Sequence, residues 1–572
     1  MIARFLKLTS IVLVAMVLSS CAKLPANPVN QLGPEIASTD AKESLYYSPS
    51  GPSKGSSQEQ IINGFLYAGN GPQNDYSVAR EYLTLNNSSK WHPSSETLIQ
   101  SGQLELLSNT GTRIRILVNF DARVTEDGTY ISEPGSKRVL EFRLLQEGGE
   151  WRISSAPNLT SVLAPNFNVL FKALPVYFWD KSFAYLVPDV RWFPTRASLA
   201  TRLTNAMIAG PNPWLEPAVQ NILPAGTKLN INSVTMNAGT ASIDFNATAL
   251  KIPAWKRPYL RSQLLATLGS VDGVTQVSIL VERTLQVIGI GASGMPISNS
   301  NLPVVLTEDG LSHLAGASLM EIRGTKEIVL KQKAVSFSIS SDESLVVLLG
   351  DKKIYSYNLG LLKNSTQLID DRAQLLKPAI DPFNSVWSAT AQTGSAIRVT
   401  DVIGTQVVLP NPYGTTRVIR GIAVSPEGAR LAVLHDTPSG AREVDVFAII
   451  RDKNRHVTSL GTKFNVSDFG PNPQSVSWLD NTTLVGIRKD SGVLQSISAL
   501  VGGPATAGRV IFDGVSVVTV LGGSQYYLDT SGALFVSKSF TWERLRSAVL
   551  ELRMAGRSEE RRVGKECLRL CR

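Results

Sequence analysis

Cysteine is nearly missing from this chain: three residues in 572, at positions 21, 567 and 571. Everything between Cys21 and Cys567 must therefore be stable by core burial, with no structural disulfide. Histidine is as scarce. His92, His313, His435 and His456 are scattered, with no His-Glu-x-x-His and no pair on one helix, so a metal centre has little support. No P-loop pattern occurs. The one apolar run that could enter a bilayer, residues 11–18, is too short to span ~30 Å of hydrocarbon, which excludes a multi-span membrane protein.

Strong charge is also lacking. Charged residues make up 18% of the chain, and the formal net charge is +9. The first twenty residues contribute +2 and the last sixteen +3, which leaves +4 for the body. That balance is mild: it suits an anionic membrane or glycopolymer surface but does not make a nucleic-acid binder. The length suggests about three or four domains. A mean hydropathy of +0.03 with 44 Gly and 30 Pro reads as globular and strand-rich.

The amino terminus is the most specific segment. Arg4 and Lys7 precede the short apolar run, and Leu18-Ser19-Ser20-Cys21 follows it. This is the plan of a secretory signal. Leu18, Ser19, Ser20 and Cys21 resemble a bacterial lipobox, which implies residues 1–20 as signal peptide and Cys21 as the lipidated first residue of the mature chain. A diacylglyceryl group supplies the two chains that stable anchoring needs. Residues 21–57, rich in Pro, Ser, Gly and Asn, read as a tether. At the other end, 556–572 changes composition sharply and resembles a vector- or adapter-derived read-through tail. It is set aside from the fold, together with Cys567 and Cys571.

The body divides into three. In 58–160, Ile61, Ile62, Phe65 and Leu66 share a helical face, and Val78, Tyr82 and Leu83 suggest a second short helix. Ile114, Ile116, Val118 and Phe120 alternate as in a half-buried strand, and Gly148-Gly149 marks a hairpin between 139–145 and 150–154. This α+β pattern resembles the NTF2-like domains of bacterial lipoproteins, with Trp91 and Trp151 as core residues or pocket walls. In 169–287, Leu199, Leu203, Ala206 and Met207 mark a helix that Gly210-Pro211 ends. Strands are expected at 229–236 and 241–245, a helix at 259–268 and a strand at 274–281. The pattern Gly210-Pro211, Leu223-Pro224, Gly226-Thr227, Gly239, Asp244 resembles the α+β GerMN domain.

Gly289-Ile290-Gly291-Ala292-Ser293-Gly294 matches a dinucleotide fingerprint, but Met295-Pro296 and Ser298-Asn299-Ser300-Asn301 follow it. No helix N-terminus is there to hold a pyrophosphate, so 288–302 reads as a linker and no cofactor is expected.

Residues 303–553 are almost all strands and turns, with a loose repeat of apolar strand, acidic turn and second strand. Copies lie at 335–349, 421–434, 475–486 and 526–536, which suggests an all-β propeller of about five or six blades. The carboxylate pairs Glu126-Asp127, Asp342-Glu343 and Asp370-Asp371 fall in turns, where neighbours point apart, and read as solvated. No set of residues selects a catalytic site, so the chain reads as a non-enzyme.

Taken in order, the lipobox, NTF2-like domain, GerMN-like domain and propeller resemble the actinobacterial LpqB lipoprotein family. The resemblance implies a lipid-anchored accessory protein on the outer face of the cytoplasmic membrane. It also implies a partner, the extracytoplasmic part of a sensor histidine kinase of the MtrB type, and so a role linking envelope state to growth and division. The alternative is a glycan-binding or glycan-processing envelope protein, with Trp179, Trp192 or Trp214 exposed to stack on sugar rings.

Overall fold

The computed structural model describes residues 49–195, 198–292, 294, 299–359, 365–466, 469–470, 472–519, 524–538 and 541–556. Leu18, Ser19, Ser20, Cys21 and the tail 557–572 lie outside the described residues. Pro49 onward forms one compact unit. No described helix is long and apolar enough to cross a membrane.

The first domain packs the helix Gln58–Ala68 on a sheet. Ser57 starts the helix with a reciprocal capping box to Gln60, which satisfies two otherwise orphan N–H groups. Ile61, Ile62, Phe65 and Leu66 are its buried face. They meet the alternating inward side chains of the long strand Arg113–Thr125. The sheet order is Glu150–Ser155, Tyr130–Glu147, Arg113–Thr125, Glu96–Gln100, Thr160–Leu163. The second expected helix shrinks to one turn, Ser77–Arg80, because three residues in a row before it, Asn74, Asp75 and Tyr76, take positive φ. Trp91 is core: its ring lies 4.9 Å from Phe65 and its indole donates to the Pro157 carbonyl at 3.0 Å.

The middle domain has two small sheets around one core. Thr240–Phe245 and Gln276–Val281 run parallel, joined through the helix Arg257–Leu268. The helix Leu199–Ala209 stops at Gly210, whose φ of 101° ends it. The strand expected over 229–236 is largely absent. Only Thr235–Asn237 pairs, and Leu229 makes an isolated bridge to Phe245. Asn230, Asn232 and Ser233 favour turns over a ladder, and the Asn230 side chain donates to Asp244 at 2.9 Å. The Gly289–Gly294 motif forms no helix among its described residues. Ser262 Oγ donates to the Ala292 carbonyl at 2.6 Å, which ties the segment to the domain instead.

From Asn299 onward, the described residues form six four-stranded antiparallel sheets, five of them in plain meander order. Their innermost strands are Glu551–Gly556, Ala334–Ile339, Ala379–Ile380, Ile419–Val424, Ser477–Trp478 and Ser516–Thr519. Neighbours in that order touch as far as Ser477–Trp478; Ser516–Thr519 then meets Thr483–Asp490, the second strand of the sheet before it, and on its other side Glu551–Gly556, so the ring closes in a propeller-like arrangement. The closing strand comes from the far end of the domain. Glu551–Gly556 completes the sheet begun by Asn299–Thr307, pairing Val304 with Arg553 and Val305 with Leu552. The repeat copy at 526–536 is out of phase with the others: Gln525–Leu528 and Leu534–Lys538 are the two middle strands of their sheet.

Candidate functional site

The ring encloses a cavity of about 690 Å³, the size of a small-molecule or peptide site. Its wall is mostly neutral, with the hydroxyls of Ser336, Ser338, Ser475, Ser477 and Ser516 set among apolar side chains such as Ile422, Val476 and Leu552. Inner-strand backbone contributes further donors and acceptors. Ser516 is buried, and its hydroxyl has no protein partner.

One charged cluster sits in this wall. Glu551, on the closing strand, is 1% exposed. Its carboxylate accepts from the Phe337 amide at 3.0 Å, from Arg553 Nε at 3.0 Å and from Lys377 Nζ at 2.9 Å. Burial pushes its pKa up, but Arg553, Lys377 and Ser336 outweigh burial and hold it below the ordinary Glu value. Arg553 also donates to the Pro378 carbonyl at 2.7 Å. Closing strand, second sheet and the approach to the third sheet thus meet at one carboxylate. Arg420 is the other cation in the wall, held by Asp436 through two nitrogens.

The other carboxylates of the wall are committed to structure. Asp342 accepts from Ser340 and Ser344 hydroxyls, each at 2.7 Å. Asp381 accepts from Arg451 at 2.6 Å and from the Trp387 indole at 3.0 Å. No nucleophile with a free base stands beside them, and no group of three metal-ligating side chains occurs among the described residues.

The middle domain reaches the cavity through Tyr185, whose ring stacks edge-on to Phe383 at 5.5 Å. The joint beneath it is extensive. Arg430 and Glu427, both fully buried, pair at 2.7 Å in the propeller. Arg430 also bonds the Asn481 carbonyl and lies 4.8 Å over the Trp478 ring, with its Nη1 3.5 Å from the Pro188 carbonyl of the middle domain. Trp192 links all three domains. Its indole donates to the Gly502 carbonyl of the propeller at 2.9 Å, and its amide donates to the Gly128 carbonyl of the first domain at 2.7 Å. Arg191 beside it is buried, pairing Asp189 at 2.7 Å and reaching Asp127 of the first domain. Burial raises the Asp127 pKa, but Arg191 and Thr125 hold it below the ordinary Asp value.

The expected sugar-stacking tryptophans are elsewhere than expected. Trp179 and Trp192 are buried, and Trp214 stacks on Phe464 at 5.1 Å across the same joint. They are core and interface residues, because apolar surface that joins domains is buried as readily as a domain interior. Two of the acidic pairs also depart from solvated turns. Asp127 is at the domain joint, and Asp370 is fully buried among Arg372, Arg398 and Ser388. Glu551, Lys377 and Arg553 carry no local signature. Asp189 and Arg191 do: two opposite charges at i and i+2 inside the apolar run 186–194 share one strand face and ask for a buried partner.

Comparison with known proteins gives the family. A model described as Lipoprotein LpqB, N-terminal domain, matches 51–168, and one described as Lipoprotein LpqB beta-propeller domain matches 309–550. Together they span well over half the chain. The chain belongs to the LpqB lipoprotein family. Between the two LpqB matches, a model described as Sporulation and spore germination matches 175–284, which is the GerMN domain. The LpqB lipoprotein of Cutibacterium acnes is 28% identical over 46% of this chain and 44% of its own length. That of Rhodococcus jostii is 24% identical over 75% of this chain and 76% of its own. The chain thus aligns with less than half of the first relative and about three quarters of the second. A crystal structure of TolB from Acinetobacter baumannii is 11% identical, covering 70% of this chain and 89% of that one, with a TM-score of 0.34. No matched family model is described by a reaction.

Proposed function

We propose that this LpqB-family chain is an extracytoplasmic lipoprotein, anchored on the outer face of the cytoplasmic membrane by lipid on Cys21. Its body binds the extracytoplasmic domain of a two-component sensor histidine kinase of the MtrB type and favours one state of that receptor, linking envelope state to growth and division. The first domain is read as NTF2-like and the six sheets as six blades. The reading makes the chain a binding protein, not an enzyme.

The observation that carries the proposal is the combination of a joined body with an accessible cavity of mixed apolar and polar lining, whose carboxylates are all held in ion pairs or turns. Such a scaffold presents loops in fixed positions, which suits recognition. A two-chain anchor confines the body to the membrane plane and raises its effective concentration near an embedded receptor. A ligand shifts a receptor only by its differential affinity for the two states, so modulation needs a stable, specific contact.

The test is titration of the purified kinase ectodomain against the chain from residue 21 onward carrying Cys21→Ser. Saturable one-to-one binding, absent with the ectodomain of an unrelated sensor kinase, is expected. Absence of binding, together with a rise in melting temperature on adding soluble wall fragments, would move the assignment to the glycan reading. That reading has lost its three tryptophans and would rest on the serine-lined cavity.

A further inference from the structure

The middle domain carries a face that neither the cavity nor the domain joints use. Over 246–270 the chain has Lys251, Lys256, Arg257 and Arg261 and no acidic residue. Two short turns of 3₁₀ helix, Ala247–Lys251 and Ala254–Lys256, lead into the helix Arg257–Leu268. Ala249 and Ile252 pin these turns to the core, which leaves Leu250 and Trp255 facing water, 51% and 58% exposed.

Trp255 stands on a rigid base. Its ring is 5.5 Å from Phe183, which is 4.7 Å from Tyr259. The Tyr259 carbonyl in turn accepts from the buried Trp179 indole at 2.9 Å. Lys256 Nζ lies 5.2 Å from the Trp255 ring and 5.6 Å from that of Phe183, so cation and aromatic surface are presented together. On the same helix, Arg261 donates to the Gly289 carbonyl at 2.9 Å and pins the segment after Leu285 there. That segment exposes Val287 and Ile290 at 95% and 93%, the most exposed large apolar residues among those described.

Single exposed apolar side chains are ordinary. Tryptophan and aliphatic side chains on and beside a basic segment, where the Glu282 carboxylate accepts from the Ala247 amide at 2.9 Å, are a different case. A protein interface is depleted of Lys. A bilayer surface takes both kinds of group: Trp settles at headgroup level, and Lys and Arg are drawn to anionic lipid while their stems lie along the apolar boundary. From Cys21 to Pro49 there are roughly 28 residues, which could span up to ~90–100 Å if extended, so lipid on Cys21 would be compatible with this face meeting the membrane.

We propose that the Trp255–Lys256 face, with Leu250, Lys251, Val287 and Ile290, docks on anionic phospholipid headgroups and seats the body on the membrane in one orientation. The proposal does not depend on the receptor or on lipidation of Cys21.

The chain from residue 21 with Cys21→Ser is sedimented with vesicles of phosphatidylcholine alone, or with one third phosphatidylglycerol. Binding to the anionic vesicles only, weakening as salt rises, is expected. Lys256→Glu should weaken it on the order of twentyfold, since each unit of surface charge is worth about fivefold. Trp255→Ala should weaken it about tenfold with an unchanged melting temperature, because the ring is largely exposed. Lys90→Glu, on the first domain, should leave it unchanged. Equal binding to both vesicle types, no binding, or equal loss in Lys90→Glu and Lys256→Glu would each overturn the proposal. So would a Trp255→Ala protein that binds vesicles normally.

Discussion

Closure of the ring rests on a strand with one buried carboxylate, and that makes Glu551 the sharpest place to perturb. In Glu551→Ala the Phe337 amide loses its acceptor inside the protein, which costs about 1–3 kcal/mol. Lys377 is half exposed and returns to water at little cost. Arg553 is more covered and keeps its bonds to the Pro378 carbonyl and the Ser336 hydroxyl, so losing the carboxylate costs it about 1 kcal/mol more. The total is about 3 kcal/mol, while Leu552, packed with Val305 and Leu534, still anchors the strand. Glu551→Gln keeps an acceptor for Phe337 and should cost about half as much. Hydrogen exchange at 551–556 and at the paired 299–307 reads this locally. Opening that governs exchange should become about 100-fold more frequent in the Ala variant. The pH dependence has a definite sign. The folded-state pKa of Glu551 is depressed, so its contribution is complete above about pH 4.3 and is lost as pH falls through the lower folded value. The wild type should therefore lose protection at 551–556 in acid, and the Gln variant should not. Unchanged exchange in Glu551→Ala would refute the idea that this carboxylate holds the ring shut.

Three further outcomes follow from the joints and cores. Trp192→Ala should cost about 3–5 kcal/mol, and limited proteolysis should then cut between domains that the native chain keeps joined. An unchanged cleavage pattern would show that the three domains are held by other contacts. Arg430→Met leaves Glu427 buried without its partner and should lower stability by about 3–5 kcal/mol, while adding Glu427→Gln should restore most of the loss in thermal melts. A double variant no better than the single one would contradict this. Gln263 is fully buried with no protein partner for its amide nitrogen or oxygen, so the similarly sized Gln263→Met should raise the melting temperature by a gain of about 1–2 kcal/mol. A lower melting temperature would show that the amide is hydrogen-bonded after all.

Much of the fold is legible where a period is strong. Ile61, Ile62, Phe65 and Leu66 place a helix, Ile114 to Phe120 a strand, and the three in-phase repeat copies place inner and second strands of three sheets. What escapes is non-local. The inner strand Ala379–Ile380 is too short to show a period, and the closing strand is a sheet-mate of residues about 250 positions earlier. Nothing local marks that pairing. The same holds for the cavity wall. Glu551, Lys377 and Arg553 come together only when the ring closes, and each alone looks like a surface charge. The tryptophans show the converse. Their composition suggests sugar stacking, but a multidomain chain without disulfides spends its large aromatics on joints, as Trp192 and Trp214 do. Asp189 and Arg191 were readable: a charge pair at i and i+2 in an apolar strand announces a buried junction.

The central claim is that this body recognises a sensor kinase at the membrane surface. The most direct measurement immobilises the Cys21→Ser chain from residue 21 onward and quantifies what it retains from detergent-solubilised envelope of the source bacterium. The account predicts enrichment of one sensor kinase over a control lipoprotein bait, with the retained kinase competed off by its own purified ectodomain. Retention of wall polymer alone, with no kinase above the control, would contradict it.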